Sequence, residues 1–72
     1  MRFKYTPLAK DLPAEIKEKV RRRAIRYFEG GKVTHRVVAK TNDTITFAFN
    51  RFGSKYPELA RNFRITLKRI GS

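Results

Sequence analysis

The residues best suited to chemistry are lysines and arginines that alternate with apolar side chains in segments typical of β-strands. Arg2 and Lys4 alternate with aromatic residues, and Arg64 and Lys68 alternate with aliphatic ones. Cationic side chains neutralise phosphate groups, and the hydroxyls of nearby threonines can donate hydrogen bonds to phosphate oxygens. The pattern therefore indicates contact with a polyanion.

The same alternation assigns these cations to one face of a sheet, because successive side chains of a strand point to opposite faces. A further segment, residues 32–40, adds two cations to this face, which contains neither a carboxylate nor an aromatic ring for base stacking. The predicted contacts of the face are Arg2, Lys4, Arg36, Lys40, Arg64 and Lys68. The alternative is an ordinary solvated face, since threonine suits exposed strand positions.

A second candidate is the segment 50–56, which lies outside any strand alternation. It interleaves cations, aromatic rings and a glycine, a composition suited to clamping a phosphate backbone and stacking an unpaired base. Its predicted contacts are Arg51, Phe52, Lys55 and Tyr56. The alternative is that the two rings fold back and close the open end of the hydrophobic core.

A third candidate is the basic flank of a helix predicted over residues 11–31. Four cations follow one another there at helical spacing, but Glu15 and Glu18 accompany them, which favours a solvated face with ion pairs. Arg23 lies closest to the apolar stripe, where its stem can pack and its guanidinium can be held in place. We therefore predict contacts from Arg23 and Arg26, at the edge of the site.

His35 is the one histidine of the chain, and the alternation of its segment directs it inward. We interpret it as a residue of the core or its edge. The functional alternative is a general acid–base in a metal-free ribonuclease of toxin-like type, in which arginine and tyrosine side chains stabilise the transition state. We expect a binding protein rather than this enzyme.

The sequence offers few residues for metal or covalent chemistry. With one histidine and no cysteine, a zinc site of the usual kind is excluded. The six acidic residues are spread along the chain and form no carboxylate cluster. We therefore predict no metal, no cofactor and no catalytic residue.

The charge balance indicates the class of partner. The chain has 18 lysines and arginines against six acidic residues, and its formal net charge of +12 costs stability through self-repulsion. Nucleic acid, DNA or RNA, is the polyanion that we expect as partner. The alternative is a small accessory or inhibitor module that docks on an acidic surface of another protein. In both cases we expect the protein to act as a monomer or as a homodimer paired through edge strands.

Length and composition set further bounds. The 72 residues suffice for one domain, which we predict to span residues 1–72. The lack of cysteine is typical of a reducing compartment, and we expect the cytoplasm. No apolar run approaches the length of a membrane span, and residues 1–10 lack the apolar centre of a signal peptide.

The predicted helix has its own start and stop signals. Asp11 is the predicted N-cap, Pro13 suits the first turn, and Gly30 and Gly31 end the helix with positive φ. Its apolar stripe comprises Ile16, Val20, Ala24, Tyr27 and Phe28, with Leu12 at the edge. Such a stripe must be covered, and a sheet face is the available surface.

These elements predict an α+β fold of two layers, with one main helix packed on a mostly antiparallel four-stranded sheet in the order β-α-β-β-β. The residues predicted to face the helix are Phe3, Tyr5, Val33, Val37, Ile45, Phe47, Phe49, Phe63, Ile65 and Leu67. Two positions for the first strand remain open. It lies either parallel beside the second strand, through a right-handed crossover, or at the far edge of the sheet.

Overall fold

A computed structural model describes residues 1–49 and 63–71 of the chain. Its elements are β1 (Arg2–Thr6), a 3-10 helix (Ala9–Asp11), α1 (Ala14–Phe28), β2 (Val37–Lys40), β3 (Thr44–Phe49) and β4 (Phe63–Ile70). The main helix covers one face of a four-stranded sheet. The predicted α+β class and the order β-α-β-β-β are confirmed.

The four strands form one sheet in the spatial order β1-β4-β3-β2, and every pairing is antiparallel. β2, β3 and β4 follow one another as a meander, whereas β1 pairs with β4 at the opposite edge from β2. The parallel arrangement of the first two strands is therefore wrong. α1 connects the two edge strands, and so it carries the chain across the sheet face that it covers.

The hydrophobic core lies between α1 and the two central strands. All ten residues predicted to face the helix are either buried or packed against the core, as is the whole predicted helix stripe. The largest fully buried side chains include Phe47, Ile45 and Ile65, from β3 and β4. Burying one such side chain stabilises the fold by about 1.5–3 kcal/mol, so these strands hold the sheet in place beneath the helix.

The helix begins later than the sequence predicts. Asp11 ends the 3-10 helix, and its amide donates a hydrogen bond to the carbonyl of Leu8 at 2.9 Å. α1 starts after Pro13, which makes no side-chain capping hydrogen bond. Leu12 is extended (φ −100°, ψ 138°) because a proline ring disfavours helical backbone in the residue before it. The predicted cap by Asp11 is therefore wrong.

The end of the helix is a Schellman turn. The amide of Gly31 donates to the carbonyl of Arg26 at 2.8 Å, and the amide of Gly30 donates to that of Tyr27 at 3.1 Å. Gly30 has a φ of 93°, a conformation that only glycine adopts without strain. The turn reverses the chain beside the last two turns of α1.

The second strand is shorter than the predicted segment 32–40. Val33 is buried as predicted, but the chain then turns, and Arg36 adopts a φ of 63° before β2 begins at Val37. A bulge between Val37 and Ala39 interrupts the pairing with β3. Both irregularities change which side chains reach each face of the sheet.

Candidate nucleic-acid interface

The sheet has a second face, away from α1, which we call the open face. The strand register identifies its residues, because direct partners in an antiparallel ladder share a face. They include Arg2, Lys4, Thr6, Thr44, Thr46, Arg64, Thr66 and Lys68. Both described helices pack on the opposite face, and none of these eight residues is acidic.

Positive charge is concentrated where β1 meets β4. Lys4 and Lys68 are direct partners across the ladder, both side chains are exposed, and Arg2 lies diagonal to Lys68. The Cβ atoms of such partners lie about 4.5–5.5 Å apart, where like charges are destabilising. Arg64 extends the patch along β4 by four residues, or about 13 Å. The open face therefore presents a basic strip with a like-charge pair at its centre.

Hydroxyl groups form the neighbouring row of the open face. Thr6, Thr66 and Thr46 are successive partners across three strands. The hydroxyls of Thr46 and Thr66 lie 2.9 Å apart and share one hydrogen bond. The row places hydroxyl groups between the Lys4–Lys68 pair and Arg64, and hydroxyl groups can donate hydrogen bonds to phosphate oxygens. Thr6 was not among the residues that we assigned to this face from the sequence.

Lys40 does not lie on the open face. It is the direct partner of Ile45, a core residue, and its ammonium nitrogen lies 5.9 Å from the centroid of the Tyr27 ring on α1. The bulge between Val37 and Ala39 adds a residue, which inverts the alternation that follows. The predicted position of Lys40 is wrong for this reason, and Ala39, predicted inward, instead pairs with Thr46.

Arg36 is also misplaced by the predicted alternation. It lies in the turn before β2, and its carbonyl accepts a hydrogen bond from the amide of Ala48 at 2.8 Å. Its guanidinium carbon lies 5.6 Å from the ring centroid of Phe49, a core residue. This contact directs the side chain away from the open face, so the predicted grouping of Arg36 with Arg64 is wrong.

His35 is exposed rather than inward, because it lies in the same turn. It contributes to a concave pocket of about 300 Å³ between α1 and the connection to β2. We call this the helix-flank pocket, and its lining is Arg23, Arg26, Lys32, Val33, Thr34 and His35. The predicted contacts Arg23 and Arg26 therefore lie together, on the opposite side of the sheet from the cations of the open face.

Lys32 and Thr34 also line this pocket, a contribution that was not predicted from the sequence. A signal for it was present in the paired glycines. A Schellman turn at Gly30 and Gly31 brings the residues that follow alongside the last turns of the helix. Gly31 also packs too closely for a side chain, since a Cβ there would lie 2.6 Å from Cγ of Arg26.

Several other cations are engaged with acidic residues. Arg22 and Arg21 contact the carboxylate of Glu18 at 3.1 and 3.8 Å, as expected for a helix face with ion pairs. Arg69 lies on the helix side of the sheet, 3.6 Å from the carboxylate of Asp43 and 5.0 Å from the Phe28 ring centroid. These arginines contribute to the fold and are poorly placed for the open face.

The second predicted candidate lies outside the described residues. Its contacts Arg51, Phe52, Lys55 and Tyr56 fall between β3 and β4, in residues 50–62. Their role therefore stays a prediction. β3 and β4 are direct neighbours, so the segment connects two strands that both contribute to the open face.

Tyr5 is the residue whose acid–base chemistry the fold changes. Burial raises the pKa of its hydroxyl above the usual 10.0, Arg21 opposes the rise, and Glu18 adds to it. The direction follows from the cost of placing a phenolate in the core. Tyr5 therefore stays neutral at physiological pH and adds no negative charge near Lys4.

Metal-binding and membrane-spanning features are absent from residues 1–49 and 63–71. No three histidine, cysteine, aspartate or glutamate side chains of this part come together as metal ligands. None of its helices is both long and apolar enough to cross a membrane. Comparison of the chain with protein-family models, curated proteins and solved structures gives no match.

Proposed function

We propose that this protein binds nucleic acid through the open face of its sheet. The observation that carries the proposal is the Lys4–Lys68 pair, two exposed cations placed directly opposite each other on a face whose assigned residues include no acid. Such a pair costs stability in the free protein. A phosphate group between the two ammonium groups would convert this repulsion into attraction.

The composition of the open face favours contact with the backbone rather than the bases. Its cations and threonine hydroxyls are phosphate ligands, and phosphate contacts position a protein without reading sequence. None of its eight assigned residues is aromatic, so they provide no stacking platform of the kind that reads single-stranded RNA. We therefore propose binding with weak sequence preference, in the cytoplasm.

The salt dependence of binding tests the proposal. Fluorescence anisotropy with single- and double-stranded DNA and RNA of one sequence, between about 50 and 200 mM salt, gives the slope of log affinity against log salt. If Arg2, Lys4, Arg64 and Lys68 each neutralise one phosphate, the slope is about −3.6 for duplex DNA and about −2.8 for a single strand. A slope near zero for all four would contradict the proposal.

Charge reversal locates the surface. Arg64→Glu with Lys68→Glu should reduce affinity on the order of a hundredfold at low salt, because two phosphate contacts become repulsions. The matched control is Lys10→Glu with Lys19→Glu, two exposed residues outside the sheet that give the same net charge. Equal losses in the two variants would show that net charge, rather than the open face, determines binding.

Two alternatives give different results. An accessory module for an acidic protein would retain a specific protein partner in a pull-down from nuclease-treated lysate. A metal-free ribonuclease would cleave RNA in the presence of EDTA and lose that activity in His35→Ala. If neither result is obtained and the salt slope is steep, binding of nucleic acid is the activity that remains.

A further inference from the structure

We propose that the helix-flank pocket is a separate binding site for a phosphomonoester, that is, for a terminal phosphate group. The pocket is lined by Arg23, Arg26, Lys32, Val33, Thr34 and His35. It therefore combines three permanent cations, a hydroxyl and an imidazole around one concavity, and none of these residues is acidic. Phosphate dianions are recognised by this set of donors.

The strongest indication is an unpaired nitrogen of Arg23. Its Nη1 atom is buried and has no hydrogen-bond partner within the described part of the chain. A guanidinium has five N–H donors, and a buried charged donor without an acceptor is costly. A phosphate that contacted this nitrogen would supply the missing acceptor, because a tetrahedral phosphate offers several oxygens to the fork of an arginine.

The surroundings of Arg23 indicate the side on which an anion binds. On one side Arg23 borders a groove along α1 that also contains Glu15 and Glu18. Those carboxylates repel an anion, and Glu18 already pairs with Arg21 and Arg22. On the other side lies Lys32, and Arg26 borders both concavities. Among the described residues, the lining on the Lys32 side has no carboxylate. The electrostatics favour the helix-flank pocket.

The backbone holds this arrangement in place before any ligand binds. The Schellman turn fixes the path of residues 29–31, and Gly31 approaches Arg26 so closely that a Cβ would lie 2.9 Å from the Arg26 carbonyl oxygen. Val33 is buried and anchors the connection that contributes Lys32 and Thr34. Because these groups are positioned in the free protein, binding requires little ordering of the chain.

The volume of the helix-flank pocket limits the size of its ligand. About 300 Å³ lies at the lower end of the range for small-molecule pockets. It accepts a phosphate with a small attached group, and it is too small for a length of duplex. The phosphate has two possible sources, the end of a nucleic-acid strand or a free phosphate compound, and both present the same dianionic group.

The site is independent of the open face, because α1 and the open-face cations lie on opposite sides of the sheet. The first experiment is an NMR titration of the full chain with inorganic phosphate, followed through the Arg23 side-chain N–H and the amides of Thr34 and His35. Saturable shifts at these positions support the site. Their absence at millimolar phosphate overturns it.

The second experiment distinguishes the sources with two oligonucleotides that differ only in a 5′-phosphate or a 5′-hydroxyl. Tighter binding of the phosphorylated strand, by about tenfold for one added charge-assisted hydrogen bond, assigns the site to strand ends. Equal binding, together with saturable shifts from inorganic phosphate, assigns it to a free phosphate compound. Affinity for the 5′-hydroxyl strand reports on the open face alone, so the two proposals fail separately.

A matched pair of variants tests the role of Arg23. Arg23→Gln removes the unpaired nitrogen, and Arg21→Gln removes a neighbouring charge of similar exposure that points elsewhere on α1. Arg23→Gln should weaken phosphate binding about tenfold and Arg21→Gln only slightly. Lys32→Gln, at an exposed position, repeats the test where packing is not affected. Equal effects of Arg21→Gln and Arg23→Gln would overturn the proposal.

Discussion

The open face and the helix-flank pocket are both basic, but they are built in different ways. The cations of the open face stand on regular strands, exposed and spread along the β1–β4 ladder. The cations of the pocket come from a helix and from the chain that returns beside it, and they converge on one concavity. The open face is therefore an extended surface, whereas the helix-flank pocket is one small site.

The difference concerns what each surface can recognise. A strip of exposed cations attracts any chain of phosphates, and its affinity depends on counterion release and therefore on salt. A pocket in which three cations converge on one concavity favours a single phosphate group. The net charge of +12 therefore includes the exposed cations of the open face and the converging cations of the helix-flank pocket. Mutations in one group should leave binding at the other unchanged.

Among the variants, Gly31→Ala is expected to have the largest effect on the helix-flank pocket relative to the open face. The new methyl group would lie 2.6 Å from Cγ and 2.9 Å from the carbonyl oxygen of Arg26, so the turn must shift. We expect a loss of about 1–3 kcal/mol in the free energy of unfolding and the loss of phosphate binding in the pocket. Thermal melts by circular dichroism and the phosphate titration measure the two effects, while affinity for a 5′-hydroxyl strand stays unchanged.

Gly30→Ala is the control for this variant. Gly30 has a φ of 93° and no neighbour within 4 Å of the added Cβ. It should lose about 1 kcal/mol through backbone strain, and phosphate binding should persist. If Gly31→Ala retained wild-type phosphate shifts, the close approach of Gly31 to Arg26 would not shape the pocket.

An intermediate effect is expected at two adjacent residues of β4. Arg69→Gln removes a cation over the Phe28 ring and an exposed ion pair with Asp43, at a cost of about 1 kcal/mol in unfolding free energy. Lys68→Gln, on the other face, should lower nucleic-acid affinity without loss of stability. Urea denaturation and anisotropy should therefore rank the two variants in opposite orders. The same order in both measurements would contradict the assignment of faces.

The smallest effect is expected from Lys4→Glu, and its sign is the informative part. The substitution turns a like-charge pair with Lys68 into an opposite-charge pair, which should stabilise the fold by about 0.2–1 kcal/mol. For a chain of this length the midpoint of thermal unfolding rises by a few degrees. Nucleic-acid affinity should fall at the same time. If the midpoint of thermal unfolding were lower in Lys4→Glu than in Lys10→Glu, the proposed repulsion between Lys4 and Lys68 would be absent.

Local patterns were sufficient to predict the elements and the core. The helix stripe and the alternation of β1, β3 and β4 determine which side chains meet, and those residues do form the core. The strand order was not predictable, because both positions of β1 satisfy the same local pattern. The start of α1 was missed because Pro13 keeps Leu12 extended, so the helix begins after the proline and not at Asp11.

The site was predictable only where the strands are regular. Arg2, Lys4, Arg64 and Lys68 lie on the open face as the alternation indicates. Lys40 and Arg36 do not lie on the open face. A bulge displaces Lys40 and a turn displaces Arg36, and neither irregularity can be read from the sequence pattern. The helix-flank pocket depends on a chain reversal, whose signal was the pair of glycines rather than any cation.

The pairing of β1 with β4 has a consequence for the synthesis of the chain. Among the described strands, β1 pairs only with β4, which follows all the others along the chain, and β4 also pairs with β3. Until β4 emerges, β1 and β3 both lack the strand that joins them, and the helix has no complete sheet to cover. We therefore expect the sheet to form only once β4 has been synthesised, and the long separation of β1 from β4 along the chain raises the contact order.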